Sequence, residues 1–272
     1  MPRKSFEHGI LTHECKDWIE LNEFITKRLD RSPTVWRGQR DAAWLLEPTL
    51  ARVIRRLPHK KSAVGEHLSR FIYATRGRRG PSPRQIPEEN AKEWWALGQH
   101  HGLATPLLDW THSPYAAAFF AYSEAVVPKG GFRAVYGLVE RPVSEKSDEL
   151  YETWKETYDQ FVARNDEDAI EKLGEPETVT FFRPLTDENQ RLVNQNGLFT
   201  FSPLEADIEA WIKKHFSGES RFPKLYKLLL PDSERLTALK SLNRMNINYL
   251  SLYPDIAGAC LHCNMALEIE HY

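Results

Sequence analysis

Over residues 15–29, CKDWIELNEFITKRL, the apolar positions Trp18, Ile19, Leu21, Phe24, Ile25 and Leu29 recur at helical spacing and predict a helix. Ser-Pro breaks that pattern, and SPTVWRGQ (32–39) then carries a short strand at Val35–Trp36. LEPTLARVIRRL (46–57) predicts a turn at Pro48, a cap at Thr49 and a basic helix. SAVGEHLSRFIYATRG (62–77) predicts a second helix closed by Gly77, and EENAKEWWALGQHHG (88–102) a third that ends near Gly102. Between the last two, RGRRGPSPRQIP (76–87) is a Pro/Gly/Arg-rich loop whose arginines either face solvent or meet phosphates.

The stretch LLDWTHSPYAAAFFAYSEA (107–125) begins as an apolar pair, places Asp109, Trp110, Thr111 and His112 in succession, and turns Ala-rich after Pro114. This reads as a strand-to-helix connection, with Thr111 or Ser113 as cap and Pro114 in the first helical position. Strands are predicted at 132–140 (FRAVYGLVE), 178–184 (TVTFFRP) and 221–231 (RFPKLYKLLLP), with a turn of helix and then a strand over 188–203. Helices are predicted at 232–246, capped by Asp232 or Ser233, and at the C-terminus within 253–272. Strands and helices do not alternate as βαβ units, so the expected class is α+β. One domain over 1–272 is expected, with 144–177 as an acidic helical insertion within it.

Charge sharpens this picture. The chain has 272 residues and a formal net charge of −2, which argues against binding nucleic acid by bulk attraction. Yet residues 1–80 hold 17 Lys/Arg against 9 Asp/Glu, and residues 140–209 hold 7 against 18. One end is suited to a polyanion and the other is not. No apolar run reaches the roughly 18 residues of a membrane span, and the first ten residues lack the apolar core of a signal peptide. Three cysteines fit a reducing compartment better than a disulfide framework. A cytoplasmic protein without membrane contact is expected.

The candidate chemistry lies in a few polar residues. Arg37 follows two strand residues and precedes Gly38, where a ligand or backbone can approach closely; an arginine there can grip a phosphate or carboxylate, although the hexapeptide alone reads as a surface arginine beside a turn. An Asp109 emerging from a buried strand needs a partner, and an arginine is the natural one. His100 and His101 are adjacent and point to different faces, so they do not readily share a metal. Cys260 and Cys263 have two-residue spacing but too few companions for a zinc site, and read as buried helix cysteines. No phosphate-binding glycine loop or hydrolase signature is present, and no metal is expected.

Taken together, four blocks resemble the FRG domain, a family named for an aromatic-Arg-Gly motif. They are VWRGQRDAAWLLEPTLAR (35–52), WWALGQHHGLATPLLDWTHSPYAAAFFA (94–121), RLVNQNGLFTFSP (191–203) and INYLSLYPDIAGACLH (247–262). Trp36 stands in the Phe place, His101 where a Tyr is usual and Pro106 where an Arg-like residue is usual. The block order is in turn similar to that of ADP-ribosyltransferases, with Asp-Trp-Thr in place of their Ser-Thr-Ser strand.

That similarity implies an ADP-ribosyltransferase-like mixed sheet core that uses NAD to modify a protein or nucleic-acid target, in bacterial anti-phage defence or as a toxin. An antitoxin or regulatory protein is the implied partner. The implied catalytic residues are Arg37, Asp109, Glu188, Arg191 and Gln195, with the carboxylate falling near Glu188, Gln190 or Arg191, or supplied by Asp109. The implied NAD contacts are Trp36, Gly38, Gln39, Gln99, His100, Trp110 and Thr111, with Trp110 or a neighbouring aromatic stacked on nicotinamide. A non-catalytic nucleotide or nucleic-acid binding module using the same cleft is the alternative. A hydrolase built from Asp109, His100, His112 and Asp255 is the third reading. The bland account of Asp109, Arg191 and Asp255 is a buried charge network that holds the core.

Overall fold

The computed structural model describes residues 4–27, 34–57, 60–80, 83, 85–184, 194–204, 207–218 and 221–272. Eight strands form a single sheet: β1 (Lys4–Glu7), β2 (Ile10–Glu14), β3 (Thr34–Gln39), β4 (Leu107–Thr111), β5 (Phe132–Val139), β6 (Thr180–Phe182), β7 (Gly197–Phe201) and β8 (Leu225–Pro231). Their order is β1-β2-β8-β5-β3-β4-β7-β6. β2 runs parallel to β8 and every other neighbouring pair is antiparallel. With its many helices this is an α+β fold.

The sheet is uneven across its width. β3 and β5 pair along their length, Thr34–Val139 through Gln39–Ala134, and β4 pairs with β7 from Leu107–Phe201 to Thr111–Gly197. Between these two blocks, β3 and β4 are paired only at Trp36–Thr111. Beyond that couple the strands part, and the sheet opens into a split between Gly38 and Asp109.

The helices are α1 (Trp18–Thr26), α2 (Thr49–Ile54), α3 (Lys60–Ala74), α4 (Ala91–His100), α5 (Pro114–Tyr122), α6 (Glu140–Ala163), α7 (Glu167–Leu173), α8 (Ile208–His215), α9 (Arg235–Arg244), α10 (Tyr249–Leu252) and α11 (Ile256–Glu268). Side-chain caps explain many of their starts. Asp17, Ser113, Asp207 and Asp255 accept from the backbone N–H three residues on, and each sits in extended backbone. Asp17 thus starts α1 at Trp18, the first apolar position of the pattern.

One face of the sheet packs on α1, α5, α9 and α10 through Trp18, Phe24, Phe119, Leu239 and Tyr249. The other carries a core of Val35, Leu108, Trp110, Tyr136, Leu198 and Trp211, covered by α8 and the first turns of α6. α2 and α4 close the β4–β7 side through Leu50, Ile54, Trp95, Leu107 and Phe199.

Two buried arginines fasten α5 in place. The Arg133 side chain is wholly buried; its Nε donates to Asp232 Oδ1 at 2.6 Å, its Nη1 to Ala121 O at 2.8 Å and its Nη2 to Val126 O at 3.1 Å. Arg235 donates to Tyr122 O and Ser123 O and pairs with Glu268. Gly38 permits the crossing of α5 over β3: a Cβ there would penetrate the Ala117 carbonyl oxygen and lie 2.6 Å from Ala121 N.

Several expectations change. Asp109, Trp110 and Thr111 belong to β4 itself, and the connection to α5 is His112–Ser113, with Ser113 as the cap. Asp232 caps no helix: a 3-10 turn at Asp232–Glu234 precedes α9, and the carboxylate serves Arg133 instead. Cys260 and Cys263 are exposed on α11, not buried, while Cys15 is buried. The acidic helical stretch begins at Glu140, directly after β5, and buries Val143 and Ser147 in its first turns. Among the described residues, no helix is long and apolar enough to cross a membrane.

Candidate functional site

The split between β3 and β4 gathers the polar residues that the sequence singles out. Arg37 sits on the β3 face turned away from α5, because Trp36 and Gly38 alternate with it and face that helix. Its guanidinium reaches across the gap: Nη1 donates to the Asp109 carbonyl oxygen at 2.8 Å and lies 3.6 Å from Asp109 Oδ2. The arginine side chain is 21% exposed and the aspartate side chain 55%. Asp109 therefore has the arginine partner expected of it, but at the rim of the split and not in the core.

The last turn of α4 and the loop after it orient the carboxylate. Gln99 Nε2 donates to Asp109 Oδ2 at 2.8 Å. The other end of that amide accepts from the fully buried Thr105 hydroxyl, which itself accepts from Leu107 N at 3.2 Å. This chain leaves the Gln99 amide one orientation. Leu50 N donates to Thr105 O at 3.0 Å, which ties α2 to the same loop.

α2 brings a second cation. Burial holds the Arg37 pKa below the ordinary guanidinium value, and repulsion from Arg52 lowers it further, against the pull of Asp109. Arg37, paired with a half-exposed carboxylate, thus also feels the charge of a second arginine. Arg37 Nε, Gln39 Oε1 and the Tyr136 hydroxyl are buried without hydrogen-bond partners, and all three belong to the same face, since Tyr136 is the cross-strand neighbour of Arg37. The Tyr136 phenol is pushed above its usual range by burial and by Glu209 and Asp207, and Arg37 opposes this. An excess of positive charge above unpaired donors and acceptors suits an anionic, oxygen-rich ligand. Arg52, Thr105 and Tyr136 escaped the sequence reading: a lone residue on a basic helix or in a strand carries no signal of the partner it meets across the fold.

Most of the remaining predicted contacts serve the fold instead. Trp36 is buried and stacks on Tyr226 at 6.4 Å, with Gly137 leaving room for its ring. Gly38 accommodates α5. Trp110 is 3% exposed, and its indole N–H donates to the buried Thr200 hydroxyl at 2.9 Å, so it cannot stack on a ligand. The Thr111 hydroxyl is buried, donates to Gln195 O at 2.5 Å and accepts from Ser113 N at 3.0 Å. Gln195 Nε2 donates to Leu252 O at 3.2 Å, which joins the start of β7 to α10. The Gln39 amide nitrogen donates to Leu45 O at 3.2 Å. His100 is half-buried and packs edge-on against His101 at 4.8 Å. Glu188 and Arg191 lie outside the described residues.

The hydrolase set does not assemble. His112 faces Arg183, Asp255 caps α11 and Asp109 is held by Arg37 and Gln99. Among the described residues, no group of three His, Cys, Asp or Glu side chains is placed to hold a metal.

Residues 32–129 match the FRG domain family. The similarity covers about a third of the chain, from before β3 to the loop after α5. The matched stretch includes Arg37, Arg52, Gln99, Thr105 and Asp109, so every residue that builds the split lies inside it. The first two sequence blocks fall within the match, whereas the blocks at 191–203 and 247–262 fall beyond the FRG stretch. No curated protein and no solved structure matches the chain.

Proposed function

We propose that the FRG domain of this chain binds NAD as substrate at the β3–β4 split and acts as an ADP-ribosyltransferase-like enzyme on a protein or nucleic-acid target, in an ADP-ribosyltransferase-like core. The observation that carries the reading is Arg37, paired with the rim carboxylate of Asp109 and left with an unpaired Nε, near enough to Arg52 to feel its charge. This donor set suits the pyrophosphate. Asp109, braced by Gln99, is placed to accept a hydrogen bond from a ribose hydroxyl. In the reaction the bond from ribose C1′ to nicotinamide breaks with its electron pair leaving on nicotinamide, and an acceptor oxygen or nitrogen, or water, bonds to C1′. Positioning and charge would supply the catalysis. Trp110 takes no part. Anti-phage defence, a toxin role with a restraining partner and cytoplasmic residence accompany this reading as proposals.

The second reading, a nucleotide-binding module without turnover, is favoured by one observation: Asp109 is already engaged by both Arg37 and Gln99. Calorimetric titration with NAD tests what the two readings share. Losing a charged hydrogen bond costs about 1.5–3 kcal/mol, or roughly 10- to 150-fold in affinity. Arg37→Ala and Arg52→Gln should each weaken NAD by that order. NAD binding that is indifferent to both arginines would sink the site.

A further inference from the structure

A second basic surface lies away from the split. At the C-terminal end of α3, an open cleft of about 670 Å³ is lined by Phe71, Tyr73, Ala74, Thr75, Arg76 and Arg78. Tyr73 is 68% exposed, and one face of its ring lies under the Arg76 guanidinium at 4.5 Å. Arg79 lies over the Trp94 ring at 5.2 Å, and Phe71 meets that indole edge-on at 6.5 Å. Among the described residues Arg78 donates only to carbonyls, Ala74 O at 3.1 Å and Arg76 O at 3.5 Å. Among the described residues, no carboxylate pairs with Arg76 or Arg78; Arg70, one turn away, is paired with Glu66 at 3.1 Å. The backbone is tightly turned, with Gly77 and Gly80 both at positive φ and Arg78 N bonded to Thr75 O at 3.0 Å.

We infer that this cleft docks single-stranded nucleic acid. An exposed aromatic ring flanked by uncompensated guanidinium groups offers a base a stacking surface and its phosphates two cations. The open ring face is the one a base takes, and a paired base in a duplex cannot reach it. The stack of Arg76 on Tyr73 positions the cation next to the phosphate that follows. Arg76 and Arg78 in the lining give the cleft a potential favourable to phosphate. This binding requires no NAD and stands whether or not the split turns NAD over.

The test is fluorescence anisotropy without NAD, using labelled 12-nucleotide oligo(dT) and oligo(rU) and a 12-base-pair duplex, from 50 to 200 mM salt. The full chain should bind one or both single strands more tightly than the duplex. Tyr73→Ala should weaken binding by about 5- to 150-fold, the loss of one stacked base, while its melting temperature and NAD affinity stay unchanged. Arg76→Gln with Arg78→Gln should reduce the log–log salt slope by about 1.4. No binding at 50 mM salt, preference for the duplex, wild-type affinity in Tyr73→Ala, or displacement of the oligonucleotide by millimolar NAD would each overturn the inference.

Discussion

Replacing Asp232 by Ala should unfold the protein at a markedly lower temperature, although the residue lies in a turn 20% exposed to solvent. Among the described residues its carboxylate is the only anion bonded to Arg133, whose side chain is wholly buried. Removing one partner of a buried ion pair costs about 3–5 kcal/mol, because the other charge stays behind. The carbonyls of Ala121 and Val126 still accept from Arg133, which argues for the lower end of that range. At roughly 2–4 °C per kcal/mol for a chain of this order of size, the expected fall in Tm is about 6–12 °C. Asp232→Asn, which keeps an acceptor oxygen and loses the charge, should fall between the wild type and Asp232→Ala. Differential scanning calorimetry measures all three proteins. A fall of less than about 2 °C in Asp232→Ala would refute the claim that this pair fastens α5 to β5.

Gly38→Ala should prevent normal folding, since its Cβ would collide with the Ala117 carbonyl; a soluble variant with wild-type Tm would contradict the packing of α5 on β3. Cys260 and Cys263 should react with a thiol reagent in the native protein while Cys15 waits for denaturant, so two fast thiols per chain are expected, and one or three would be wrong. Burial alone would raise the Glu209 pKa, but hydrogen bonds from Lys227 and Lys213 override it and hold the carboxyl below its ordinary value. Its contribution to stability is therefore present above the ordinary carboxylate range and lost as pH falls through the lowered value. Lys227→Met should flatten the acid limb of the stability curve below about pH 4.5; an unaltered limb in chemical denaturation would count against this ion pair.

How much of this was legible depended on whether the signal was local. The helices around Trp18, Trp95, Phe119 and Leu239 follow from apolar spacing and caps, and β3, β5 and β8 from runs of β-formers. The hairpin of β1 and β2 was not read, because its strands have four and five residues and its turn, His8-Gly9 at φ 48° and 76°, is not one of the common hairpin pairs. Chemistry alone called for an arginine beside Asp109 without saying which, and Gln99 came with the family resemblance. Trp110 and Thr111 came with it too, but Trp110, one residue from Asp109 on the strand, points to the opposite face, which is core, and Thr111, on Asp109's own face, is buried and bonded to Gln195 O. Arg52 could not be found from spacing, since it lies on α2, which a tertiary contact from Leu50 to Thr105 ties to the loop before β4. Cys260 and Cys263 misled because α11 is apolar on several sides and buries few of its residues, Gly258 and Met265 among them.

The most direct test of the account is the release of nicotinamide from NAD over time by purified protein, with and without cell lysate as a source of acceptor, beside Arg37→Ala and Asp109→Asn. The Arg37–Asp109 pair is half-exposed and contributes at most about 1 kcal/mol to stability, so Asp109→Asn should melt close to the wild type. The account predicts release that disappears in Arg37→Ala and falls sharply in Asp109→Asn while both proteins remain folded. Release that persists in Arg37→Ala, or no release from the wild type under either condition, would contradict it.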